Sequence, residues 1–384
     1  MGMQECRAHA GPTGRGATTT PQLLTFQQTI PRRMVHRAAV AEVFVTDAVS
    51  LGDDRFLVGA QWPRDHALYH PDDEGRSDPL LVAETIRQAL VYLGHWHYGV
   101  PLTHRFVGRT MDFEITDADA LRVGSQPLSV VLDGRWRWVD SRPTQRFGMC
   151  LEVVLSIGGK ECGRGSLQVI AVDERRYELL RRRSDAPAPA AVPPVRVATD
   201  RESGSLDPLL VGRLRAKDSV IVAGTSPGQW QLRLDLDHAI LFDHPTDHVP
   251  LMVILEGIRQ LGYVLVGPQG EALDDRRTSP VLSSLAIDCL AFAELDEPVH
   301  LLVLEDAREA GADRAAVTPS PADQSAPEGS CRRRLRIQAV QGGRPVAVTE
   351  STWSLPGGEP VGPGRRAATD APRSGDGEET VGSR

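Results

Sequence analysis

Apolar residues in this chain gather in two long runs and a series of short ones, and the two kinds predict different elements. The long runs, PLLVAETIRQALVYLGH from Pro79 and PLMVILEGIRQLGYVLVG from Pro250, exceed the usual strand length and open on proline, which suits a first helical turn. Most faces of each would be apolar, so each predicts a buried helix. The short runs are strand-like: 43–46, 105–115 and 150–157 in the first half, and 220–222, 281–292, 299–304 and 334–340 in the second. One long helix among several antiparallel strands gives an α+β module when the strands curl around it.

The same order of elements occurs twice. Val35-His36-Arg37 corresponds to Val211-Gly212-Arg213, each with a strand about eight residues on. A second strand follows, ending in Asp65-His66 or Asp237-His238, then His70-Pro71 or His244-Pro245, then the helix. An internal repeat fixes architecture before any single motif is weighed. Two modules are expected, 23–183 and 208–355, each with a central helix wrapped by a curved antiparallel sheet, paired as a pseudo-dimer. The length of 384 residues agrees with two domains. Residues 184–207 are rich in Pro, Ala, Gly and Ser and predict a linker. A flexible loop is expected at 307–330. Residues 1–22 and 356–384 carry too little apolar surface to fold and predict disordered ends.

Charge and composition narrow the partners. A net charge of -8 and a pI near 5.8 argue against nucleic acid and anionic membranes. No run reaches the ~18 apolar residues of a membrane span, and residues 1–22 lack the apolar core of a signal peptide, so a soluble, cytoplasmic protein is expected. The five cysteines (Cys6, Cys150, Cys162, Cys289, Cys331) include no Cys-x-x-Cys pair and fit neither a disulfide framework nor a zinc site. His95, His97 and His104 lack a matching fourth ligand, so no metal is expected. There is no Walker A loop or dinucleotide fingerprint, and no cofactor is implied. Gly224-Thr225-Ser226-Pro227-Gly228 matches the hydrolase nucleophile elbow, but that elbow joins a strand to a helix. Here the strand-like QWQLRLDLD follows, so Ser226 is read as a turn residue.

The chemistry concentrates on the two apolar helices. Glu84, Arg87 and Gln88 share one face of the first, as do Glu256, Arg259 and Gln260 of the second. Burying such charges without compensation costs several kcal/mol, roughly, and both copies keep the triplet although the sequence around it has diverged. Glu84, Arg87, Glu256 and Arg259 are therefore candidate catalytic residues, with Gln88 and Gln260 as substrate-orienting groups. His70 and His244 precede the glutamates by fourteen and twelve residues and are candidates for substrate contact and proton transfer.

The stretches 35–43, 78–88 and 242–250 resemble the A-factor biosynthesis (hotdog repeat) family of γ-butyrolactone signal synthases, and the resemblance spans about residues 25–355. It implies a tandem hotdog protein that transfers a β-ketoacyl group from an acyl carrier protein to the hydroxyl of dihydroxyacetone phosphate. The ester can then close to a butenolide phosphate. The family's proposed site residues fall on Glu84, Arg87, Glu256 and Arg259. In this reading the glutamate takes the hydroxyl proton, the arginine binds phosphate or the developing oxyanion, and Ile86, Leu90, Ile258 and Leu261 border an acyl tunnel. Related hotdog dehydratases open their helix with Pro-Gly, whereas this chain has Pro79-Leu80 and Pro250-Leu251, which argues against dehydration. A thioesterase, a dehydratase and a catalytically silent acyl-binding protein are the other readings.

Overall fold

The computed structural model describes residues 24–140, 146–184, 206–224, 228–267, 279–309 and 331–355. Cys6, Ser226, both chain ends and most of the expected linker and loop lie outside these residues. Twelve strands form one sheet in which every neighbouring pair is antiparallel. The first half supplies β1 (Val45–Gly52), β2 (Arg55–Trp62), β3 (Arg105–Ile115), β4 (Leu128–Trp138), β5 (Arg146–Ile157) and β6 (Lys160–Val172). The second supplies β7 (Ile221–Ala223), β8 (Trp230–Leu232), β9 (Val281–Cys289), β10 (His300–Glu309), β11 (Cys331–Gln341) and β12 (Arg344–Leu355). Outward from the β3–β9 seam, the order β3, β6, β5, β4, β2, β1 on one side is repeated by β9, β12, β11, β10, β8, β7 on the other. The hairpins β5–β6 and β11–β12 turn on Gly158-Gly159 and Gly342-Gly343, all four at positive φ, as a two-residue primed turn requires.

Each half contributes one long apolar helix, α1 (Leu80–Trp96) and α3 (Leu251–Val266). α1 packs on β1, β2, β3, β5 and β6, α3 on β7, β8, β11 and β12, and the two helices touch. In α1 only Arg87 and Trp96 escape full burial. Its first turn is closed by the Asp78 carboxylate, which accepts from the Leu80 amide at 2.8 Å. The corresponding position before α3 is Val249, which has no acceptor to offer.

Several strand limits differ from the sequence expectation. β2 stops at Trp62 because Pro63 has no N–H for the ladder, and β8 stops at Leu232, so Asp65-His66 and Asp237-His238 lie in turns. In both turns the histidine is a clamp. His66 Nδ1 accepts from Leu68 and Tyr69, while Nε2 faces Glu42 at 3.3 Å. His238 Nδ1 accepts from Ile240 and Leu241, while Nε2 faces Asp218 at 3.0 Å. β10 extends to Glu309, taking in the first residues of the expected loop.

The basic run near position 181 belongs to a helix absent from the sequence expectation, α2 (Glu174–Ser184). Its few apolar residues include Tyr177 and Leu180, which pack with Ile170, Val172, Val107 and Phe292 in a small cluster. Ile170 and Val172 alternate along β6 with Val169 and Ala171 of the main core. Strand periodicity therefore puts α2 on the opposite face of the sheet from α1.

The proposed tunnel residues Ile86, Leu90, Ile258 and Leu261 are wholly buried in the main core, because α1 and α3 pack on nearly all sides. The packing of α3 is close enough to require glycine: a methyl at Gly262 would overlap the Trp353 indole, itself 1% exposed. Alanine gains about 1 kcal/mol of helix propensity over glycine, but overpacking costs about 1–3 kcal/mol. Gly262→Ala should therefore lower the urea unfolding midpoint, and a raised midpoint would show that the indole yields.

Candidate active site

Each helix glutamate is fully buried and anchored by an arginine from far back in the sequence. Arg37 approaches Glu84 at 2.7 Å, and Arg213 donates through Nε to Glu256 at 2.7 Å. These arginines end the Val35-His36-Arg37 and Val211-Gly212-Arg213 repeats, placed by the preceding 3-10 turns Arg32–Val35 and Pro208–Val211. In the sequence these arginines align the two halves without revealing that they hold the glutamates. The available signal was an arginine kept at equivalent positions ahead of two buried glutamates.

Around Glu84 the donors are dense. Arg87 donates through Nε to Oε2 at 2.9 Å and through a terminal nitrogen to Oε1 at 2.7 Å. Gln88 donates to Oε1 at 2.6 Å. Burial pushes the Glu84 carboxyl up, but the Arg37 and Arg87 charges outweigh it and hold it at about 2. The second half completes the centre. Asp243 lies 3.9 Å from Arg37 and accepts from the Ala38 and Ala39 amides at 2.6 and 2.9 Å. His244 turns Nδ1 toward Asp243 at 3.4 Å and is half exposed. Burial first, then the Arg37 and Arg87 charges, lower its pKa against the opposing Asp243 hydrogen bond.

His36 completes the cluster. His95 Nδ1 faces the Val100 carbonyl at 2.7 Å, leaving Nε2 to accept from His36 Nε2 at 2.9 Å. Burial, followed by the charges of His95, Arg87, His244 and Arg105, holds His36 at about 3. It is neutral at pH 7.

The Glu256 centre is built differently. Arg259 does not bond Glu256; it reaches Asp78 of the first half at 3.1 Å and donates to the Val211 carbonyl at 3.2 Å. Arg213 also donates to Asp78, at 2.7 Å. Burial raises the Asp78 carboxyl, but Arg259 and Arg213 outweigh it and hold it at about 2. The Arg213, Glu256 and Asp78 side chains have no exposed surface, whereas at the first centre Arg87 is 19% and His244 51% exposed. The first centre opens to solvent and the second is nearly sealed.

Of the remaining candidates, the two glutamines join these centres and His70 does not. Gln88 accepts from the Phe44 amide and donates to the Glu42 carbonyl. Gln260 accepts from Val220 and donates to Asp218 and Glu256. Both are fully buried and tie helix to strand. His70 Nδ1 faces its neighbour's carbonyl, Pro71, at 2.9 Å, and neither glutamate bonds it. Among the described residues no cluster of His, Cys, Asp or Glu could hold a metal ion, and no helix is long and apolar enough to cross a membrane.

Residues 18–173 and again 196–355 match a family model described as the A-factor biosynthesis hotdog domain. A 2-oxo-3-(phosphooxy)propyl 3-oxoalkanoate synthase of Streptomyces virginiae is 36% identical over 271 residues, covering 70% of this chain and 85% of the relative. A synthase of the same name from Streptomyces griseus is 32% identical over 249 residues, covering 64% and 78%. One from Streptomyces coelicolor is 29% identical over 294 residues, covering 76% and 83%.

Two stability tests follow from the centres. Arg213→Met leaves Glu256 and Asp78 short of a counter-charge and should cost about 3–5 kcal/mol in urea unfolding, more than Arg87→Met at the open centre; equal losses would refute the asymmetry. The second test is acid titration. Glu84 and Asp78 sit at about 2 when folded, below their ordinary 4.5 and 3.8, so their stabilisation is complete above those ordinary values and lost as pH falls toward 2. The urea midpoint should drop below pH 4.5, and Glu84→Gln should flatten that drop.

Proposed function

The chain belongs to the A-factor biosynthesis hotdog domain family, and from that premise we propose that it is an acyltransferase making a 2-oxo-3-(phosphooxy)propyl 3-oxoalkanoate. It moves a 3-oxoacyl group from an acyl carrier protein thioester to the hydroxyl of dihydroxyacetone phosphate. The synthase relatives supply the reaction class, and the open basic centre around Glu84 is the observation that carries the site. The strand order repeated about the β3–β9 seam supports two hotdog copies paired as a pseudo-dimer. A cytoplasmic location suits a carrier-borne donor.

A phosphate ester needs fixed cations, and Arg87, partly exposed, has a second terminal nitrogen beyond the pair that holds Glu84. Arg37 and His244 stand beside it. The acceptor oxygen attacks the thioester carbonyl, the new C–O bond forms and the C–S bond breaks, and the carrier leaves as thiolate to be protonated. Glu84 has a role different from proton acceptor. It is ionised, buried and ligated by Arg37, Arg87 and Gln88, so it is a poor base and acts as a positioning residue for the two arginines. His244, neutral at pH 7 and half exposed, takes the hydroxyl proton through Nε2. The sealed Glu256 centre holds the two halves in register.

Incubation with a 3-oxoacyl carrier protein and dihydroxyacetone phosphate should yield the phosphorylated ester; release of free 3-oxo acid alone would mean a thioesterase. His244→Gln should lower kcat by on the order of 10²–10⁴, and Arg87→Met should mainly raise KM for the acceptor. The acid limb of kcat/KM should lie below pH 6.5, because burial and the neighbouring arginines lower the His244 pKa and only its neutral form accepts a proton. A His244→Gln variant with the wild-type pH profile would remove that residue from the mechanism.

A further inference from the structure

A cavity of about 530 Å³ lies apart from the two charged centres, within the ~300–1,000 Å³ usual for small-molecule sites. Leu180 of α2, Val107 of β3, Ile170 of β6, Leu251 and Ile254 of α3, and Phe292 all lie on its wall. These apolar surfaces suit a hydrocarbon chain and leave a phosphorylated acceptor to the arginines around Glu84.

The segment 243–248 runs from that centre to the cavity wall. Asp243 accepts from Ala38 and Ala39 there, and His248, five residues on, lines the cavity. The Tyr177 hydroxyl donates to Asp247 at 2.7 Å. Arg105 lies 5.4 Å over the Tyr177 ring and is close enough to His36 to lower its pKa.

α2 beside the cavity carries Arg175, Arg176, Arg181, Arg182 and Arg183 against Glu174 and Glu178, a cationic excess in a chain of net charge -8. Arg109 is exposed, lines the cavity and acts electrostatically on Cys289 in the wall. α2, which supplies Leu180 to the wall, also exposes Arg175 and Arg182, and Leu290 on the wall is 57% exposed. An anionic partner presenting a flexible apolar arm fits this combination.

We propose that the cavity receives the acyl chain and pantetheine arm of the donor, and that Arg109 with the exposed arginines of α2 docks an acidic carrier protein. The assignment rests on the acyl-transfer reading for its ligand.

The test uses the full chain and two variants. Ala291→Phe fills the cavity wall. It should weaken binding of a non-hydrolysable 3-oxodecanoyl-pantetheine amide by about tenfold or more, while a four-carbon analogue binds as to wild type. Arg182→Glu, exposed on α2 and off the cavity wall, should raise KM for the carrier-borne donor by about tenfold and reduce its salt dependence, leaving KM for the free acyl-pantetheine thioester unchanged. Undiminished binding of the long analogue to Ala291→Phe overturns the cavity assignment. Equal effects of Arg182→Glu on carrier-borne and free donors overturn the docking surface. Binding is read without turnover, so a wild-type protein that binds the long analogue but transfers nothing to dihydroxyacetone phosphate refutes the acyltransferase reading alone.

Discussion

Two carboxylates on buried helices must each find positive charge away from water, and much of the molecule is arranged to supply it. Leaving either unpaired would cost several kcal/mol, roughly. Arg37 and Arg213 meet that need. They reach the helices from the 3-10 turns before the first strand of each half. The second shell of charge then crosses between halves: Asp243 of the second faces Arg37, and Asp78 of the first faces Arg213 and Arg259. The β3–β9 seam joins the sheets, and the charge networks join the same halves through their helices.

The crossing is also where the copies part. The second half has Asp243 where the first has Tyr69, and the first has Asp78 where the second has Val249. Asp78 draws Arg259 away from its own helix glutamate and buries it, while Arg87 stays on Glu84 with part of its guanidinium in solvent. Tyr69 is wholly buried, and burial with the Glu84 charge pushes its phenol well above the ordinary value. A pair of similar motifs thus becomes one centre open to solvent and one closed to it.

Segment 243–248 connects the parts. Asp243 caps the turn holding Arg37, His244 faces solvent at the open centre, and His248 borders the apolar cavity beneath α2. The segment thus has a polar, solvent-facing surface at one end and an apolar one at the other.

How much of this was legible in the sequence follows from the range of the interactions. The two helices were, because an all-apolar run opening on proline is a local signal; so was the repeat, including Val35-His36-Arg37 against Val211-Gly212-Arg213. The matched triplets Glu84, Arg87, Gln88 and Glu256, Arg259, Gln260 were legible as buried charge. Their partners were not: Arg37 and Asp243 are 206 positions apart in the chain, and only the folded chain sets them side by side. Burial decided that Gln88 and Gln260 divide their bonds between backbone and their own helix glutamate, and that Arg37 and Arg87 both hold Glu84. Helix α2 escaped because it has few apolar residues of its own and packs on a surface that strands from both halves create. Sequence alone determined the two long helices and the duplication, since these signals depend on near neighbours. Tertiary structure decided which copy stays open, because that depends on which distant charge each arginine meets.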